Sequence, residues 1–149
     1  MMKFVAAKTF EAWRMITRAK NPLVLVGRGV RISNAFEELN SFIKQTKLPV
    51  VTTYLGKDCY LKSHGVIGIK GLESANKLLS ESDVLLVIGA SLPIAQMGYE
   101  YEKFFKRKVI IVNIEKPNVL TKPALFIHAD CKEFFYEHTQ ILRTPKLEP

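Results

Sequence analysis

The chain has 149 residues, 48% of them hydrophobic and 24% charged, enough to bury the core of one ordinary domain and short for an enzyme of two. No apolar run approaches the roughly 20 residues of a membrane span, and Lys8 breaks the opening Met1-Met2-Lys3-Phe4-Val5-Ala6-Ala7 too early for a secretory leader, so a cytoplasmic protein without membrane contact is expected. The formal charge of +8 is scattered, apart from Lys103, Lys106, Arg107 and Lys108, and no aromatic residues interleave with glycines, a pattern of solvated surface that argues against nucleic acid.

Phe10, Trp13, Ile16 and Ala19 fall three apart and predict a first helix over residues 9–20, closed by Pro22. The apolar run Leu23-Val24-Leu25-Val26 then ends in Gly27-Arg28-Gly29. Without alternation it reads as a strand buried on both faces. Ser33 or Asn34, with Glu37, is placed to cap the helix striped by Phe36, Leu39, Phe42 and Ile43. Strand, glycine loop and helix start make either an anion site, with Arg28 and Arg31 adding charge, or a tight turn without a ligand.

Pro49-Val50-Val51-Thr52-Thr53 predicts a second strand, and the glycine-punctuated stretch beyond leaves room for a short third at His64-Gly65-Val66-Ile67-Gly68. Ala75, Leu78 and Leu79 stripe a helix before a fourth strand, Val84-Leu85-Leu86-Val87-Ile88, which ends in Gly89-Ala90-Ser91. A helix over residues 100–106, a fifth strand Val109-Ile110-Ile111-Val112 ending at Asn113-Ile114-Glu115, and a short sixth, Ala124-Leu125-Phe126-Ile127, follow. Asp130 with Glu133 forms a capping box for a helix over residues 131–142. Cys59 and Cys131 are too few for a zinc motif or a disulfide framework and read as reduced thiols.

Strands alternating with helices specify an α/β, doubly wound, Rossmann-like parallel sheet of six strands, order 3-2-1-4-5-6, with helices on both faces. Residues 9–142 form the single domain, and 1–8 and 143–149 are flexible ends or linkers. The strand order places a ligand crevice between Gly27-Arg28-Gly29 and Gly89-Ala90-Ser91, two glycine loops facing each other at the sheet's centre. The third glycine of a dinucleotide fingerprint is replaced by Ile32, and Thr52-Thr53 stand where an acid would hold a nicotinamide cofactor's ribose, so a nicotinamide-dependent oxidoreductase is excluded.

Several segments in order, Asn21-Pro22-Leu23-Val24-Leu25-Val26-Gly27-Arg28-Gly29-Val30, Pro49 to Lys57, Gly68-Ile69-Lys70-Gly71 and Asp83 to Ala90, together with Ile110 to Glu115 and Ile127-His128-Ala129-Asp130, resemble the central domain of thiamine-diphosphate enzymes of the acetolactate synthase type. The resemblance runs from Phe10 to Leu142, and residues 91–101 are most similar to acetolactate-synthase-like enzymes of surface-polysaccharide pathways.

The resemblance implies a parent enzyme that ligates or decarboxylates 2-oxo acids, a homodimer or homotetramer in which this domain lies between a pyrimidine-binding and a pyrophosphate-binding domain. Those flanking domains would supply the cofactor-activating glutamate and a Gly-Asp-Gly motif for magnesium and diphosphate. No Gly-Asp-Gly occurs in this chain, so thiamine diphosphate and Mg are expected outside it and the chain alone is expected to be inactive.

In acetolactate synthases the central domain also binds FAD in a structural role. Carried over, that implies FAD or an adenine nucleotide contacted by Gly27, Arg28, Gly29, Gly68, Ile69, Lys70, Gly71, Gly89, Ala90, Ser91, Asn113, Glu115 and Asp130, with no catalytic or metal residue. Departures lie at Ser91 and Ala95, where flavin-binding members place arginine, and at Asn113, where they place an acid. The alternative is a stand-alone, non-enzymatic nucleotide-binding or scaffold module. An NAD-dependent deacylase, suggested by His64-Gly65, would need four zinc cysteines where this chain has two.

Overall fold

The computed structural model describes residues 2–68, 71–90, 106–117 and 123–143. Five strands, β1 (Pro22–Val26), β2 (Val50–Thr52), β3 (Val84–Ile88), β4 (Lys108–Asn113) and β5 (Leu125–His128), form one sheet in the order β2-β1-β3-β4-β5. All four neighbouring pairs are parallel, and the register aligns Val26 with Thr52 and Ile88, Ile88 with Val112, and Val112 with Ile127. Every carboxyl end therefore reaches the same edge of the sheet.

The period of two along each strand sorts its apolar side chains between two cores. Val24, Val26, Val50, Leu86, Ile88, Ile110, Val112 and Ile127 pack on one face. There they meet α1 (Met2–Arg18), α3 (Phe36–Thr46) and α5 (Cys131–Leu142), through Ile16, Leu39 and Phe134 among others. Leu23, Leu25, Val51, Leu85, Val87, Val109 and Ile111 pack on the other face, against Ala75, Leu78 and Leu79 of α4 (Glu73–Glu81). Burial on both sides is why these strands read as unbroken apolar runs.

Among the described residues the sheet has five strands where six were expected. Residues 64–67 do run along the outer edge of β2, with His64 N–H donating to the Val50 carbonyl at 2.8 Å and Ile67 N–H to that of Thr52 at 2.9 Å. Only the Thr52–Val66 bridge qualifies as pairing, because Gly65 and Gly68 adopt φ of 120° and 109° and break the extended chain on either side.

The first helix begins at Met2, so it takes in residues read as a flexible lead. Its fully buried positions are Val5, Thr9, Ala12 and Ile16. Trp13 and Ala19 are only partly buried at the edge of that core, so the expected stripe is shifted around the helix. The capping box at Ser33 or Asn34 does not form. A four-residue helix, α2 (Gly29–Ile32), intervenes, Ser33 Oγ folds back on the Gly29 carbonyl at 2.9 Å, Asn34 turns the chain at φ 54°, and Ala35 stands uncapped before α3. At α5 the Asp130 cap is present, its Oδ1 accepting from Lys132 N–H at 2.8 Å. Residues 100–105 of the expected helix over 100–106 lie outside the described residues.

Candidate functional site

The chain turns back between β1 and β3, since β2 lies on one side of β1 while the next strand lies on the other. That reversal opens a crevice beyond the carboxyl ends. The two glycine loops do not face each other across it, as the sequence suggested, but touch. Gly27 N–H donates to the Ile88 carbonyl and Gly29 N–H to that of Gly89, each at 2.8 Å. A methyl group on Gly27 would lie 2.5 Å from both the Ala90 Cβ and the Gly89 oxygen, and Gly89 itself has φ 71°. The N–H groups of Val30, Arg31, Ile32 and Ser33 close the turn on the carbonyls of Gly27, Arg28 and Gly29. These glycines serve close packing of two strand ends, and the donors expected to greet an anion are already committed.

A cavity of about 320 Å³ lies beside this contact, at the size of a small ligand pocket. Of the residues named from the sequence, Arg28, Gly29, Gly89, Ala90, Asn113, Glu115 and Asp130 line it. Gly27 is buried beneath. Gly68 and Gly71 stand apart in the turn before α4, where the Asn76 amide donates to the Gly68 carbonyl and accepts from its N–H, both at 2.9 Å. Ile69, Lys70 and Ser91 lie outside the described residues.

Ile32, Thr53, Leu55, Ala129 and Cys131 are wall residues that the sequence did not point to, beside Ser33 and Ile114 in loops that it did. Ile32 had been read only as a lost glycine, yet it is a 67% exposed apolar side chain at the rim, joined by Leu55 and Ile114. Thr53 is the residue that directly follows β2.

Most of the polar wall is already engaged. Asp130 caps α5, Thr53 Oγ1 accepts from Gly56 N–H at 3.2 Å, and Asn113 Oδ1 accepts from Ile114 N–H at 2.9 Å. Arg31 is paired with Asp58 and donates to the Leu55 carbonyl at 3.0 Å, so it pins the loop after β2 and leaves the anion role to Arg28. Among the described residues Arg28 and Glu115 have no ion-pair partner, and they reach the cavity from two different strand ends.

Nothing described here is poised for acid–base or nucleophilic chemistry. Burial pushes the Cys131 thiol up to about 11 and raises that of Cys59, so both are protonated and unreactive at neutral pH. Among the described residues no group of three His, Cys, Asp or Glu side chains is placed to hold a metal ion. The adenosine-phosphate part of a nucleotide fits the chemistry of the crevice, with Glu115 as an acceptor for ribose hydroxyls, Arg28 for a phosphate, and Ile32, Leu55 and Ile114 as apolar walls for a flat ring.

Sheet, reversal point and crevice define a doubly wound α/β domain with a cavity at its strand ends. The chain belongs to the family described as thiamine pyrophosphate enzyme, central domain, which matches residues 10–137. It is similar to a probable acetolactate synthase large subunit of Methanococcus aeolicus, 43% identical over 113 residues that make up 73% of this chain and 19% of that protein. A sulfoacetaldehyde acetyltransferase of Castellaniella defragrans is 35% identical over 98 residues, 60% of this chain and 16% of the relative. A 3D-(3,5/4)-trihydroxycyclohexane-1,2-dione hydrolase of Listeria monocytogenes is 29% identical over 137 residues, 89% of this chain and 22% of the relative. The chain thus spans about a fifth of the length of the relatives it matches. No helix among the described residues is long and apolar enough to cross a membrane.

Proposed function

We propose that the chain is the central domain of a thiamine-diphosphate-dependent enzyme of the acetolactate synthase type, acting in its parent as a structural and nucleotide-binding unit between two flanking domains. The observation that carries this reading is the 43% identity to an acetolactate synthase large subunit, over nearly three quarters of this chain and within one fifth of that protein. The parent would join or decarboxylate 2-oxo acids, with thiamine diphosphate and magnesium held by the flanking domains.

The purified chain is expected to show no turnover of pyruvate with thiamine diphosphate and magnesium, because it contains no Gly-Asp-Gly motif and no described metal-binding cluster. Product formation above background that disappears when the cofactor is withheld would overturn this reading.

In the crevice, Arg28 is the charged contact for a nucleotide phosphate. The preparation is expected to be colourless and to bind ADP weakly, since flavin-binding relatives place arginines at the positions of Ser91 and Ala95. Arg28→Ala removes a charge-assisted hydrogen bond at an exposed position and is expected to weaken ADP about three- to tenfold. A yellow protein with stoichiometric FAD, or ADP titrations by calorimetry indifferent to Arg28→Ala, would contradict the assignment.

A further inference from the structure

Folding gathers charges that the sequence scatters. Arg14 and Arg18 stand one turn apart on the exposed side of α1, and Lys106 and Lys108 flank the start of β4. All four line a cavity of about 890 Å³ at the amino-terminal edge of the sheet, opposite the crevice. Met15 and Ala19 give its wall an apolar strip.

The remaining charged residues there are mostly committed to the fold. Asp83 accepts from the N–H groups of Lys20 and Asn21 at 2.9 and 2.8 Å, and Arg107 donates to the Leu79 carbonyl and, at 3.0 Å, to Ser82 Oγ. Arg14, Arg18, Lys106 and Lys108 have no ion pair among the described residues, where the pairs are Arg31–Asp58 and Lys132–Glu38. Among the described residues of the lining, only Glu11 opposes them as an uncommitted acid. Four like charges around one hollow repel one another, and an acidic occupant would relieve that repulsion.

We propose that this groove docks an acidic polypeptide segment with interspersed apolar side chains. A second copy of the chain is disfavoured by its own charge of +8. Among the described residues the lining contains no aromatic side chain, so they offer single-stranded nucleic acid no stacking platform. The apolar strip beside the cations suits a leucine-type side chain between carboxylates. Because the groove and the crevice lie at opposite edges of the sheet, both can be filled at once.

The test is fluorescence anisotropy of a labelled peptide of alternating Glu and Leu, titrated with the 149-residue chain. Binding is expected to weaken as salt rises. It should fall about tenfold or more in Arg14→Glu/Arg18→Glu and in Lys106→Glu/Lys108→Glu. The neutral pair Arg14→Gln/Arg18→Gln should fall less and guards against a misfolded reversal variant. Lys44→Glu/Lys62→Glu, away from the groove, should bind as well as the parent chain. Equal loss in the Lys44/Lys62 variant would overturn the proposal, as would undetectable binding at low salt. So would a single-stranded oligonucleotide of the same charge that binds more tightly and is lost with the same variants.

Discussion

Replacing Gly27 with alanine is expected to cost about 3 kcal/mol or more, a large fraction of the stability of a domain this size. The new methyl group would lie 2.5 Å from the Gly89 oxygen, 2.5 Å from the Ala90 Cβ and 2.7 Å from the Ala90 Cα, and two of these three are backbone atoms that no rotamer change can move. Relief requires the ends of β1 and β3 to part, which breaks the 2.8 Å bond from Gly27 N–H to the Ile88 carbonyl and misaligns the crevice that those ends frame. Removing the Cβ on the other side, in Gly27→Ala/Ala90→Gly, relieves one contact and leaves the backbone contacts, so only part of the loss should return. Urea unfolding of the three proteins measures this. A Gly27→Ala midpoint shift worth less than about 1 kcal/mol would show that the strand ends are not as tightly joined as the distances imply.

The second large effect is on acid stability. His138 lies on α5 with its ring 4.6 Å from that of Trp13 and 4.7 Å from that of Phe42. It is 2% exposed, and its Nε2 has no hydrogen-bond partner among the described residues. Burial pulls its pKa from 6.5 down to about 4. Above the unfolded value both folded and unfolded imidazoles are neutral, and the group adds no pH dependence. As pH falls below 6.5 the unfolded chain takes up a proton that the folded chain refuses, so stability drops, and the loss is complete once pH has passed the folded value of about 4. Between pH 7 and pH 4.5 this one residue should remove about 2–3 kcal/mol. Trp13 is the chain's single tryptophan and reports unfolding from within the same cluster. His138→Leu should lose ring contacts at pH 7 yet show a smaller fall in stability on acidification. An unchanged pH slope in His138→Leu would assign the acid sensitivity to other groups.

That residues 23–26, 84–88 and 109–112 are central parallel strands followed from their unbroken apolar runs, and that a crevice lies at their carboxyl ends followed from glycine at the end of the first two. Those are local patterns, set by the two-residue period of a strand and by where a chain can turn. Asp130 as a helix cap was legible for the same reason, since the residues involved are two apart.

The tertiary structure decided what depends on partners distant in sequence. Residues 64–68 look like a strand until Gly65 and Gly68 take positive φ. The glycines of residues 27–29 look like ligand contacts until Gly89 and Ala90, just after β3 and some 60 residues on, pack against them. Arg31 was indistinguishable from Arg28 in sequence, and only the loop carrying Asp58 separates the engaged side chain from the available one. His138 is buried because α1 and α3, distant in sequence, close over it and remove the water that would have stabilised its charge. Sequence by itself determined the three central strands and the edge at which the crevice opens, because each of these is written in short-range pattern. Which donors, charges and rings remain free at that site was settled by packing, since a side chain's availability depends on every neighbour that reaches it first.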